Sequence, residues 1–357
     1  MAQLSTLNVL PTLPAEIVYM ILKEYYIDLH EDTMGLHLNR PPRNLPSRAG
    51  SNPMLVCKMF QAICRPLHNS HISGLVFGDD ITHKSHLKKV LAHYDKYRRL
   101  RKYVKRLDIT VHWEFSANVV QTYMDHLSRR FPRVEFISIQ MWHEDGVTPV
   151  AIMHQNADMA MVEYGHVFDD SLYNFPSLRT VHLIGFEEVD IECAIGMPNL
   201  QELRFINCGY VDKLQGSTSA ISNITSLSVL HDPDCFGSLF HLLSLKATPM
   251  LEELVINLNY CLLLDDVSDS IHLPKLKRLH IHVVDESDLD DILDALYNGA
   301  HEAGAQPFKE LRDLRVGCQE GKLSVEKIER LIANAQLDKF ALTSGESGLG
   351  ILDHLNF

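Results

Sequence analysis

No apolar run in this 357-residue chain approaches the roughly 20 residues that a membrane-spanning helix needs. The first residues lack a basic stretch followed by an apolar core, and Pro11 and Pro14 interrupt them, so no signal peptide is expected. The seven cysteines include no Cys-x-x-Cys pair. Their scatter and odd number read as reduced core thiols of an intracellular protein, cytoplasmic or nuclear. The lone Asn223-Ile224-Thr225 sequon is then without consequence. Positive charge is in deficit: 33 Lys and Arg stand against 46 Asp and Glu, for a net charge of −13. That balance gives no global drive toward nucleic acid or an anionic membrane.

Catalytic signatures are missing as well. There is no P-loop and no dinucleotide fingerprint. Gly345-Glu346-Ser347-Gly348 falls short of a nucleophile elbow because Leu349 stands where glycine is required. Twenty histidines raise the question of a metal, yet His30, His143 and His301, each followed by Glu, have no second His four positions on. The chain therefore reads as a non-enzyme with no cofactor.

What the chain does have is a repeat. A proline is followed by apolar residues two, five and seven positions later at Pro132-Val134-Ile137-Ile139, Pro176-Leu178-Val181-Leu183 and Pro198-Leu200-Leu203-Phe205. The pattern returns at Pro249-Leu251-Leu254-Ile256 and Pro274-Leu276-Leu279-Ile281. Without the proline, the same spacing fits Ile72-Leu75-Phe77, Val104-Leu107-Ile109, Ile224-Leu227-Val229, Leu311-Leu314-Val316 and Leu337-Phe340-Leu342. From Leu178 the starts fall at 178, 200, 224, 251 and 276, steps of 22, 24, 27 and 25. These lie in the leucine-rich-repeat range of about 20–29 residues. The last two apolar positions point the same way on a short strand. Cys208 and Asn259 extend two copies at the position where such a strand ends; Phe186 and Val284 break the rule, so the repeat is irregular.

Between the strands, apolar residues recur at helical spacing: Leu87, Val90, Leu91 and Tyr94; Val119, Tyr123, Met124 and Leu127; Leu289, Ile292, Leu293 and Leu296; Val325, Ile328, Leu331 and Ile332. The stretch between Ile139 and Leu178 is too long for one unit, and an extra helix or loop is expected around Thr148 to Tyr164. The fold class that follows is α/β: a small N-terminal helical domain over residues 1–72, then an irregular leucine-rich-repeat α/β solenoid over 73–357.

The N-terminal part does not repeat. In Leu13-Pro14-Ala15-Glu16-Ile17, Pro14 suits the first helical position and Glu16 the first turn, and Ile17 and Ile21 share a face. A second helix opens at Asn52-Pro53 and runs through Leu55-Val56-Cys57-Lys58-Met59-Phe60 to Ile63, followed by Pro66-Leu67. In these two motifs the chain resembles an F-box protein of the leucine-rich-repeat class, in the loose form common in fungi. The resemblance covers about residues 8–72. It departs from the family in the polar, proline-rich insertion over about 30–51, where the family has a short loop.

The resemblance implies a substrate-recognition subunit of a ubiquitin ligase, docked on a Skp-family adaptor and through it on a cullin and RING subunit. It also implies that Leu13, Pro14, Ile17, Leu22, Leu55, Val56 and Cys57 face the adaptor or shape that face. The alternatives are an interaction scaffold not coupled to ubiquitination, in which the N-terminal helices only cap the solenoid, and, more remotely, a hydrolase hidden in the array.

The repeat register selects candidate target contacts. The residues between the last two apolar positions form one column, Asp108, Ser138, His182, Arg204, Ser228, Val255, His280 and Arg315; the next runs through Ile184, Ile206, Leu230, Asn257 and His282. On a concave strand face, His182, Arg204, Asn257, His280, His282 and Arg315 have the chemistry to hold an unidentified target protein. Two charge runs remain. Lys84 to Arg106 holds ten basic residues and one acid; a nucleic-acid patch is the sharper reading, but the interleaved apolar residues favour the outer face of a packed helix, with an acidic protein partner left as an alternative. Asp285 to Asp294 holds six acids and reads as a solvated helix start.

Overall fold

The computed structural model describes residues 19–20, 58–77, 81–112, 117–142, 172–186, 197–206, 208, 223–230, 250–257, 271, 273–302, 308–320, 323–333 and 335–344. Ten strands form one parallel sheet in strict chain order. They are β1 (His71–Phe77), β2 (Arg106–His112), β3 (Phe136–Trp142), β4 (Thr180–Ile184), β5 (Glu202–Ile206), β6 (Ser226–Leu230), β7 (Glu253–Asn257), β8 (Arg278–Asp285), β9 (Asp313–Glu320) and β10 (Lys339–Ser344). The described helices are α1 (Lys58–His68), α2 (Ile81–Lys96), α3 (Ala117–Arg130), α4 (Glu286–Glu302) and α5 (Val325–Ile332), with a 3₁₀ helix over Arg98–Tyr103. Mixed α/β with each strand beside its sequence neighbour is consistent with a leucine-rich-repeat-like solenoid.

The proline in the repeat has a local cause. The carbonyl of Phe131 accepts the Val134 N–H at 3.2 Å, Phe175 that of Leu178 at 3.1 Å, and Met197 and Leu273 those of Leu200 and Leu276 at 3.3 Å. Each is a four-residue turn with proline second, where its fixed φ fits and its missing N–H is not needed. The turn delivers the chain into a recurring junction. One carbonyl just before a strand accepts two successive N–H groups from the next unit, beginning with Lys105 and Arg106 on Ser70 and ending with Asp338 and Lys339 on Arg312, at 2.7 to 3.0 Å across all nine junctions. Side chains add a second ladder. Ser177 donates to the Pro132 carbonyl at 3.0 Å, Asn199 to Pro176 at 2.9 Å, and Asn223 to Pro198 at 2.8 Å. The sequon asparagine thus has a structural partner.

The apolar positions meet in register. One column runs from Leu107 through Ile137 and Val181 to Leu314, the next from Ile109 through Ile139 and Leu183 to Val316. Both belong to one continuous core with Leu87 and Tyr94 of α2, Met124 and Leu127 of α3, Leu289 and Ile292 of α4, and Ile328 and Leu331 of α5. Helices α2 to α5 therefore cover one face of the sheet.

Three details depart from the regular pattern. β1 and β2 shift register between Ile72 and Leu75, where Gly74 takes a φ of +69° that a side chain would resist. Val325, expected on the buried face of its helix, is 51% exposed at the helix's first position. Phe340 and Leu342 extend the two apolar columns onto β10, yet are 50% and 37% exposed, because β10 is the last strand of the sheet. The extra helix expected around Thr148 to Tyr164 and the insertion over 30–51 lie outside the described residues.

Candidate protein-interaction face

Alternation along each strand sends the remaining side chains to the face opposite the helices. Pairing puts the sequence-derived column in register from Asp108 through Ser138, His182, Arg204, Ser228, Val255 and His280 to Arg315. Ile184, Ile206, Leu230, Asn257 and His282 form the adjacent column, which continues to Gly317. A third column, two residues earlier on each strand, includes Arg106, Phe136, Thr180, Glu202, Ser226, Glu253, Arg278 and Asp313.

The first and third columns interlock as two charged networks. At the β1–β5 end, His71 hydrogen-bonds Asp108, and the Arg106 Nε donates to the same carboxylate at 3.0 Å. The Arg106 guanidinium lies 4.1 Å from the Phe136 ring centroid, and that ring meets the His182 imidazole edge-on at 4.7 Å. His182 Nε2 is 3.3 Å from Glu202 Oε1, and Thr180 donates its hydroxyl to the other oxygen at 3.4 Å. Arg204 completes the group 3.5 Å from Glu202. At the β7–β9 end, Arg278 bridges Glu253 at 2.7 Å and Asp313 at 3.6 Å, while His280 and Arg315 approach Asp313 at 3.3 and 3.4 Å.

Burial sets the protonation preferences. Desolvation pushes the His182 and His280 pKa values down against the pull of Glu202 and Asp313. Burial alone would raise the Asp108 carboxyl, but hydrogen bonds and charge from His71 and Arg106 outweigh it and hold the group below its ordinary range. The hydrogen bond with His182 likewise lowers Glu202. Both networks thus pair formal charges, and burial favours the neutral form of His182 and His280. Among the described residues no three His, Cys, Asp or Glu side chains gather as a metal site.

Six target contacts were expected on this face, and all six are on it, but they are not equally accessible. His182, Arg204 and Arg315 are half-buried and remain available to a partner. Asn257, His280 and His282 are buried, at 5%, 1% and 2% exposure, so they cannot act as surface contacts in this state. His280 packs against Asp313, and the His282 ring lies over Gly317. Beside them, Ile206, Leu230 and Val255 form a small buried apolar cluster of their own. Sequence reasoning passed over the third column, including Arg106, Phe136 and Glu202. Their signal was the same alternation carried one step earlier, to the residue just before each strand's first apolar position. The expected adaptor contacts Leu13, Pro14, Ile17, Leu22, Leu55, Val56 and Cys57 lie outside the described residues.

No protein-family model matches the chain, and no curated protein matches it. Among solved structures, the crystal structure of a TLR13–ssRNA13 complex matches with a TM-score of 0.31 at 14% identity, covering 69% of this chain. This chain spans about a third of that protein, since 34% of it is covered. The likeness is too distant to transfer anything from that protein to this one.

Proposed function

We propose that the protein is a target-recruiting subunit of an F-box-type ubiquitin ligase. The two F-box-like motifs, Leu13 to Leu22 and Leu55 to Leu67, would dock a Skp-family adaptor, and the face opposite the helices would hold the target. The observation that carries the reading is the pair of motifs in the right order ahead of a repeat sheet. The joint between them fits the task. α1, which contains much of the second motif, is followed after only Asn69 and Ser70 by β1. Asn69 bonds back to the Arg65 carbonyl through its side chain at 2.7 Å and its N–H at 3.2 Å, and the Ser70 carbonyl accepts the first junction of the sheet from Lys105 and Arg106. A joint held this way would fix where a target sits relative to the adaptor. Such a subunit supplies no reacting group; it raises the effective concentration of target lysines at the ubiquitin-charged partner.

The Arg106–Phe136–His182–Arg204 stretch supports the target half of this reading, because Arg and aromatic side chains dominate protein recognition energy. The test is co-purification with a Skp-family adaptor. Wild type is expected to capture it, and Leu13→Asp/Ile17→Asp to lose it with an unchanged circular dichroism spectrum. Failure of the wild type, under conditions where established F-box proteins bind, would overturn the reading in favour of a scaffold outside ubiquitination.

A further inference from the structure

A second surface lies on the helix side of the sheet. Residues 81–135 contain thirteen Lys and Arg against five Asp and Glu, a surplus of eight positive charges that leaves −21 on the rest of a chain whose net charge is −13. Three of the four described acids of this region are paired with cations of the same region, and the fourth is hydrogen-bonded. Asp95 pairs with Arg101 and with Arg130 of α3, Glu135 with Lys105, and Asp108 with His71 and Arg106 on the opposite face of the sheet; Asp125 accepts a hydrogen bond from Asn174. What remains is cationic. Lys88, Lys89 and Lys96 of α2 and Arg98, Arg99 and Lys102 of the 3₁₀ helix are exposed and make no ion pair among the described residues. The Asp95–Arg130 pair and the edge-on Tyr94–Phe131 contact at 5.0 Å hold the end of α3 alongside, which adds exposed Arg129 and Arg133.

We infer that this patch docks an acidic segment of a partner protein. Three observations select that class over other polyanions. Single-stranded nucleic acid wants free aromatic faces on which bases stack, but the Tyr97 ring already has the Lys96 ammonium 5.4 Å from its centroid and the His93 ring at 5.0 Å, and Lys102 lies 4.9 Å from the Tyr103 centroid. An anionic bilayer favours an apolar face beside the cations, but Leu87, Val90, Leu91 and Tyr94 of α2 are turned into the core. The patch is also short. Its longest element, α2, spans about 24 Å at 1.5 Å per residue, the reach of about seven residues of extended peptide. A longer polyanion would run off it onto a body carrying −21. The patch and the charged columns occupy opposite faces of the sheet, so an acidic partner could bind without displacing a target. The inference does not rest on the F-box reading.

The test uses the full chain and three labelled probes: a peptide of about ten Asp and Glu residues, a single-stranded RNA of about 20 nucleotides, and phosphatidylserine vesicles. The peptide is expected to bind best at low salt and to weaken steadily as salt shortens the screening length to about 8 Å. Arg98→Glu/Arg99→Glu is expected to weaken it about tenfold, whereas Lys309→Glu/Lys339→Glu, two exposed cations elsewhere with the same charge change, costs less than about twofold. Thermal melts confirm that both variants fold. Tighter binding of RNA or vesicles, equal losses in the two variants, or no binding of any probe would each overturn the inference.

Discussion

His282 on β8 lays its imidazole across its register partner Gly317 on β9. A methyl group built at position 317 would stand 2.5 Å from the His282 Cδ2 and 2.7 Å from the Thr343 hydroxyl on β10. Here glycine serves as room for a neighbour's ring; its φ is not in the left-handed region. The ring is 2% exposed and so has little space to move aside.

Gly317→Ala is therefore expected to destabilise the protein by about 1–3 kcal/mol through overpacking, read from urea unfolding. Adding His282→Ala empties the contested space, so the double variant should lose at least about 0.5 kcal/mol less than the two singles together. Strict additivity would refute the packing account.

Leu314 and Phe340 are register partners in the same apolar column, one at 0% and the other at 50% exposure. Leu314→Ala should cost about 2–5 kcal/mol, as buried truncations do. Phe340→Ser should stay within about 0.5 kcal/mol, as exposed substitutions do. Comparable losses at the two positions would mean that β10 is covered in solution.

His182 and His280 are held below the usual histidine value of about 6.5. Below that pH the unfolded chain takes up protons that the folded one refuses, so stability falls as the solution is acidified. Asp108 and Glu202 have the opposite charge type and also lowered values. Their contribution is present above about pH 4 and disappears as pH falls through the folded values. Urea midpoints should therefore decline in two stages, and His182→Gln/His280→Gln should flatten the first. A midpoint constant from about pH 7.5 to 5.5 would contradict the assignment.

Under the proposed function, target capture should depend on the accessible members of the strand face. Arg204→Glu/Arg315→Glu is expected to remove a set of proteins from a proximity-labelling profile taken under proteasome inhibition, with adaptor binding unchanged. Loss of adaptor binding as well would indicate misfolding, and an unaltered profile would remove this face from consideration.

Much of the fold was legible because period and spacing are local. The interval Leu203-x-Phe205 announces a strand with one buried face, and Leu289, Ile292, Leu293 and Leu296 announce a helix that covers the same side of the sheet at β8 and β9. The repeated interval even supplied the cross-strand register, since His182 and Arg204 occupy equivalent positions and prove to be partners. Accessibility was not legible. His182 and His280 occupy the same column, yet one is half-buried and the other almost completely enclosed. Side chains of neighbouring strands, such as Asp313 beside His280 and Phe136 beside His182, help decide that, and no spacing rule carries it. Nor could spacing show that Asp95 joins the 3₁₀ helix to α3 through Arg101 and Arg130, a contact 35 residues apart in the chain for the latter pair.

The sequence by itself determined the alternation of buried and open positions, the turns in front of the strands and the segregation of charge, because each is a property of neighbouring residues. Only the tertiary structure decided which members of a column are accessible and which charges are paired. Those outcomes depend on groups brought together from different repeats, where desolvation and ion pairing compete: Asp108 finds His71 of β1 and Asp95 finds Arg130 of α3, while Lys88, Lys89, Arg98 and Arg99 are left facing solvent.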